Sequence, residues 1–160
     1  MKNPILLILI IIFIYACSGD KKTNTETTQE KTAPGIWNED SAAKVNDARG
    51  VGKFTNVELP EKLDAKMAHE GNEIYDLKCS SCHKLTDEKL VGPGWKGVTT
   101  RRKPEWIMNF ATNTDEMLNK DAEAQAMLEV CMVRMPNQNL SDKDARDVLE
   151  FMRQNDGVKP

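Results

Sequence analysis

Five residues, Cys79-Ser80-Ser81-Cys82-His83, restrict this chain more than any other stretch of its 160 residues. Two thiols stand one helical turn apart, and an imidazole follows the second directly. Thiols at that spacing can hold two points of one planar group, with the imidazole beneath its centre. Three other uses of the pattern fit poorly. A thioredoxin-like Cys-x-x-Cys needs a βαβ pattern around it, and no alternating strand run is present. A zinc site needs a second ligand pair at metal spacing; His69 is one more ligand type, but Cys131 is isolated. A structural disulfide between Cys79 and Cys82 leaves His83 without a purpose. Four cysteines are also too few for a disulfide-dense scaffold.

Cys-x-x-Cys-His is the attachment pattern of haem c. Each thiol bonds one vinyl group of a single porphyrin, and His83 becomes an axial ligand of the iron. An iron that only carries electrons needs a sixth ligand, and methionine opposite histidine raises the potential. The chain has eight methionines, so position must choose. Met67 lies upstream in the first expected helix, Met108 and Met117 fall mid-chain, and Met127 and Met132 fit a helix beginning near Asp121. Met135 differs because Pro136 follows it. The residue before a proline is pushed out of the α region, so Met135 belongs to an extended loop that can be aimed across a porphyrin. Met135 is the expected metal ligand with His83, and Met132 is the reserve.

The N-terminus reads as an address. Ile5 to Ile14 is an unbroken apolar run of ten residues, whereas a bilayer-spanning helix needs about 20. A short positive start followed by such a run has the form of a signal peptide. Ile14-Tyr15-Ala16-Cys17 then resembles the lipobox of bacterial lipoproteins, which implies lipidation of Cys17 after residues 1–16 are removed. Loss of Lys2 takes the net charge from −3 to −4. Residues 17–34 read as the lipidated Cys17 and a disordered tether, Ser18 to Pro34, polar but for one alanine and reaching roughly 55 Å when extended. From 35 to 59, apolar residues are scattered without a period. That stretch is either a wrap on the following domain or more linker.

The remainder, 60–157, reads as a single all-α domain. Leu63, Met67, Gly71, Ile74 and Tyr75 make one helical face between about Glu61 and Lys78. A glycine on the apolar face implies a second helix crossing closely there. The expected partner is the last helix, with Ser141 as N-cap, Asp144 at the capping-box position, and Ala145, Val148, Leu149 and Met152 at helical spacing. Gly157 is the expected stop. Between them lie helices at Pro104–Ala111, with Trp106, Ile107 and Phe110 on one side, and at Asp121–Val133.

From 60 to 156 these features together resemble the class I c-type cytochromes, which implies the cytochrome c fold. In that family a first-helix glycine and an aromatic four residues on pack against the C-terminal helix. Gly71 and Tyr75 match that pair, and Val148, Phe151 and Met152 match the partner face. A Gly-Pro whose proline carbonyl accepts the Nδ1–H of the haem histidine is matched by Gly92-Pro93. The Met-Pro loop is matched by Met135-Pro136. Family members bond haem propionates with arginine and tryptophan in the region of Trp95, Arg101, Arg102 and Trp106; Trp106 and Arg101 are the candidates here. The stretch from Gly92 to Met152 also resembles small cytochromes that accompany bacterial respiratory reductases, nitrous oxide reductase among them.

Charge narrows the function. A net charge of −3 excludes a strongly basic nucleic-acid binder. Between Leu77 and Pro104 seven basic residues face two acids, whereas from Glu105 onward six basic residues face eleven acids. Such polarity orients partners, and acidic redox proteins are expected to dock near the haem. The whole implies an exported, lipid-anchored carrier facing the periplasm, on the cell membrane or the outer membrane. It is expected to pass single electrons between protein donors and acceptors, with no small-molecule substrate and no catalysis. A haem enzyme or gas sensor is the alternative; it needs an open iron position and a distal acid or base, and no histidine stands where one is required. Cys131 is expected to be a small buried hydrophobe, and His69 a partly exposed helix residue.

Overall fold

The computed structural model describes residues 47–160. The expected leader at 1–16, the lipidation candidate Cys17, the expected tether at 17–34 and residues 35–46 lie outside the described residues. Among those described there are six helices and no strand, apart from one isolated antiparallel bridge between His83 and Lys89. No helix among them is long and apolar enough to cross a membrane.

Helix α1 spans Ala65–Lys78 and α6 spans Asp142–Asn155. They cross where the sequence indicated. A Cβ on Gly71 would overlap the backbone carbonyl of Asp147 and stand 2.9 Å from Phe151 Cβ. One turn on, Tyr75 packs its ring 5.4 Å from Phe151 and 4.9 Å from Trp95. The Ser141–Asp144 capping box forms, and the chain turns away at Gly157, with φ +98°.

Helix α1 begins four residues later than its apolar face implied. Asp64 supplies the reason: its carboxylate accepts from the N–H groups of Lys66 and Met67 at 2.9 and 3.0 Å, and aspartate is a strong N-cap. The residues before it are bound elsewhere. Leu63 donates its N–H to the Lys159 carbonyl at 2.9 Å. Asp64 donates its N–H to buried Glu150 at 2.8 Å, and Arg153 reaches the Pro60 carbonyl at 2.5 Å. Glu150 also accepts from Arg146 at 2.5 Å and from Arg153 at 2.8 Å, so this buried carboxylate is paired as burial requires.

The middle of the chain forms α3 at Pro104–Thr112, α4 at Thr114–Lys120 and α5 at Ala122–Cys131, preceded by a single turn, α2, at Val98–Arg101. Helix α5 matches expectation apart from its end, where Met132 adopts the left-handed conformation, φ 58°, and stops it. Helices α2 and α4 were not foreseen. They are too short to show a period, and α4 presents only Thr114, Met117 and Leu118 to the interior.

Residues 47–59, which the sequence left open, wrap against the domain. Buried Asn109 accepts from the Phe54 N–H at 3.0 Å and donates to the Phe54 and Arg49 carbonyls, both at 2.9 Å. Glu105 accepts from the Val57 N–H at 2.8 Å. The compact unit therefore begins before residue 60, because polar side chains of α3 satisfy a backbone that has no regular ladder of its own.

Candidate cofactor site

Between the Cys79–His83 segment, helices α3, α5 and α6, and the loop after α5 lies a cleft of about 1340 Å³, part of it open to solvent. Its walls are mainly apolar, among them Ile107, Phe110, Leu118, Leu128, Val148 and Met152. Every residue singled out for cofactor contact lines it: Cys79, Cys82, His83, Pro93, Trp95, Arg101, Trp106 and Met135.

The proximal side is built from α1 outward. Cys79 caps the helix C-terminus, and the following turn returns the chain so that His83 N–H reaches the Cys79 carbonyl at 2.9 Å. Burial pushes the Cys79 thiol up to about 11. The Tyr75 hydroxyl donates to the His83 carbonyl at 2.7 Å, fixing the turn from behind. His83 Nδ1 lies 2.9 Å from the Pro93 carbonyl. A carbonyl only accepts, so the proton sits on Nδ1 and the Nε2 lone pair is free for a metal. Burial lowers the imidazole's affinity for a second proton, although the Pro93 carbonyl acts the other way. Gly92 is required by contact: a Cβ there would stand 2.8 Å from His83 Nδ1.

The far side separates the methionines. Met135 lies in the extended loop, half-buried, on the cleft wall. Met132 is 83% exposed and does not line the cleft. Met127 and Met152 do line it, from within helices. Cys131 is a half-buried cleft residue and not a core hydrophobe. Its position at the last turn of α5, facing the cleft, is a tertiary fact that no sequence period carried. His69 is exposed and lies 3.9 Å from Glu73, away from the cleft.

The two propionate candidates line the cleft but also have protein partners. The Trp106 indole N–H donates to Asp121 at 3.1 Å. Arg101 donates to the Lys96 carbonyl and, at 3.4 Å, to that of Gly94. Arg102 lies over the Trp106 ring, 4.8 Å from its centre, and pairs with Glu123 at 2.8 Å. Arg102 and Asp121 complete this corner, and the sequence ranked neither.

The chemistry of these donors fits a haem and fits the rival groups badly. Among the described residues no cluster of three His, Cys, Asp or Glu side chains can hold a metal ion, which removes a zinc site there. An apolar cleft with two thiols at one edge, an oriented imidazole and a thioether loop suits a flat, largely apolar tetrapyrrole.

Comparison with known proteins agrees. The cytochrome c family model matches residues 68–156. A cytochrome c from Rhodothermus marinus is 33% identical, with a TM-score of 0.65, over 68% of this chain and 93% of that one. An engineered form of that cytochrome gives 32% identity and a TM-score of 0.65 over 68% and 94%. The same engineered protein bound to a carbene intermediate gives 32% and 0.62 over the same shares. No curated protein matches. The chain belongs to the cytochrome c family, and its cofactor is covalently bound haem c with its iron.

Proposed function

We propose that this protein is a mono-haem electron carrier with His83 and Met135 as its two axial ligands, held at a membrane by a lipid on Cys17. It carries single electrons from respiratory donors to a terminal reductase or oxidase. The observation that bears the most weight is the placement of His83 and Met135 on one cleft, with Pro93 holding the imidazole proton on Nδ1. When bound, haem supplies a one-electron iron couple. The chain's own work is positional. Cys79 and Cys82 retain the cofactor, Tyr75 and Pro93 hold His83, and the apolar walls exclude water. No acid or base is required.

Two ligands leave no open position, which argues against an enzyme or gas sensor. The leader and Cys17 support export to the periplasmic side. Lysines near the attachment loop support acidic partners, although Lys84 is itself paired with Glu88 at 2.6 Å. The decisive experiment is spectroscopic. The oxidised holoprotein should show a far-red methionine–iron band, and the reduced form should not bind CO. Met135→Ala should abolish the band, admit CO and lower the potential, while Met132→Ala changes none of these. Ready CO binding by the native protein overturns the carrier reading; an effect of Met132→Ala in place of Met135→Ala overturns the ligand assignment.

A further inference from the structure

The loop that carries Met135 is tied at both ends to the segment that carries His83, each time by a lysine. Lys89 donates to the Val130 carbonyl at 2.9 Å. Lys78 donates to the Gln138 carbonyl at 3.0 Å. These carbonyls stand five residues before and three residues after Met135.

Both lysines are fixed to the proximal side by backbone. Lys78 is the last residue of α1 and immediately precedes Cys79. Lys89 is the partner of His83 in the isolated antiparallel bridge. The two acceptors are otherwise hard to satisfy. Val130 is in the last turn of α5, where carbonyls lack partners within the helix and attract cations. Gln138 lies in an irregular loop that is wound on itself, its side chain donating to the Pro136 carbonyl at 3.0 Å. Asn139 beside it has φ 51°. Arg134 holds the loop from the α4 side, reaching Asn119 at 3.3 Å and Asp115 at 3.4 Å.

We infer that Lys78 and Lys89 are positioning residues for the sixth ligand: they clamp the Met135 loop across the cleft to the haem-attachment segment and slow its opening. The inference rests on Met135 being the iron ligand, as proposed above. It also gives these two lysines a task besides meeting a partner, because each directs an N–H of its ammonium group to backbone within the chain.

The test is ligand exchange in the oxidised holoprotein, with imidazole as the probe and no redox partner present. A docking role cannot move that rate. The variant carrying both Lys78→Met and Lys89→Met should bind imidazole about fivefold faster or more, the scale of two hydrogen bonds at solvent-exposed sites. Each single variant should show a smaller rise. Lys78→Arg and Lys89→Arg keep a donor and should stay close to the native rate. Lys66→Met, an exposed lysine elsewhere on α1, controls for lost charge. The denaturation midpoint is read in parallel, so that a general loss of stability is separated from loop opening. A native far-red band with unchanged exchange in the double variant overturns the clamp alone. Absence of that band in the native protein overturns the Met135 reading and the clamp with it.

Discussion

Gly71 of α1 lies directly against the backbone carbonyl of Asp147 in α6, with no room for even a methyl group between them. The two helices thereby approach at backbone distance, and Tyr75, one turn on, reaches both Phe151 and the turn that carries His83.

Gly71→Ala should therefore destabilise the holoprotein by about 1–3 kcal/mol, the usual range for overpacking. The obstacle is backbone and not a flexible side chain, which favours the upper part of that range. Denaturant unfolding of the two proteins measures it. An unchanged midpoint would mean that the helices separate without cost.

Tyr75→Phe retains the ring contacts and removes the donor to the His83 carbonyl. The expected loss is about 1 kcal/mol. Far-red and Soret spectra should stay nearly native, because Pro93 still orients the imidazole. A loss above that of Gly71→Ala would show that the hydroxyl has a larger task than fixing the turn.

Asn109→Ala removes all three hydrogen bonds that hold residues 49–54 to α3 and leaves a small void. The cost should be about 2–4 kcal/mol. Limited proteolysis should then cut within residues 47–59, while the haem spectrum stays native. Resistance equal to that of the parent protein would show that the remaining bonds suffice, from Val57 to Glu105 and from Val51 to Met117 and Asn113.

Acid stability should report Glu150. Burial raises its affinity for a proton, but the Asp64 N–H and the Arg146 and Arg153 guanidinium groups outweigh that and hold its carboxyl below the ordinary value. A folded-state value below the unfolded one gives stability that is present at neutral pH and is lost as pH falls through the folded value. Glu150→Gln should be less stable at pH 7, and its stability should fall less steeply between about pH 5 and pH 3. Urea midpoints across that window decide the matter; parallel curves would remove Glu150 from the acid transition.

Covalent attachment predicts which thiols react. In the denatured holoprotein, alkylation should modify Cys131 and spare Cys79 and Cys82. Denaturation is essential, because Cys79 is buried in the folded protein and an unmodified thiol there would escape the reagent. Mass spectrometry that found all three alkylated would show that no thioether had formed.

The haem-attachment motif and the helices that flank it were legible from local spacing alone. Cys79, Cys82 and His83 are adjacent in the chain, so their chemistry needs no fold to be recognised. Pro136 restricts Met135 locally, Ser141 and Asp144 announce α6, and the apolar spacing of α1 and α6 follows from a 3.6-residue turn. Gly71 pointed to a close crossing because an unfilled position on an apolar face costs stability unless another backbone occupies it.

Features that depend on distant partners became visible in the fold and nowhere earlier. Residues 47–59 have no period because side chains of α3, not a regular ladder, satisfy their backbone. Cys131 faces the cleft, Trp106 spends its N–H on Asp121, and two lysines bind carbonyls across 41 and 60 residues of chain. A hydrogen bond between residues that far apart leaves no trace in local spacing. It exists only once hydrophobic packing has brought the two segments within 3 Å of each other.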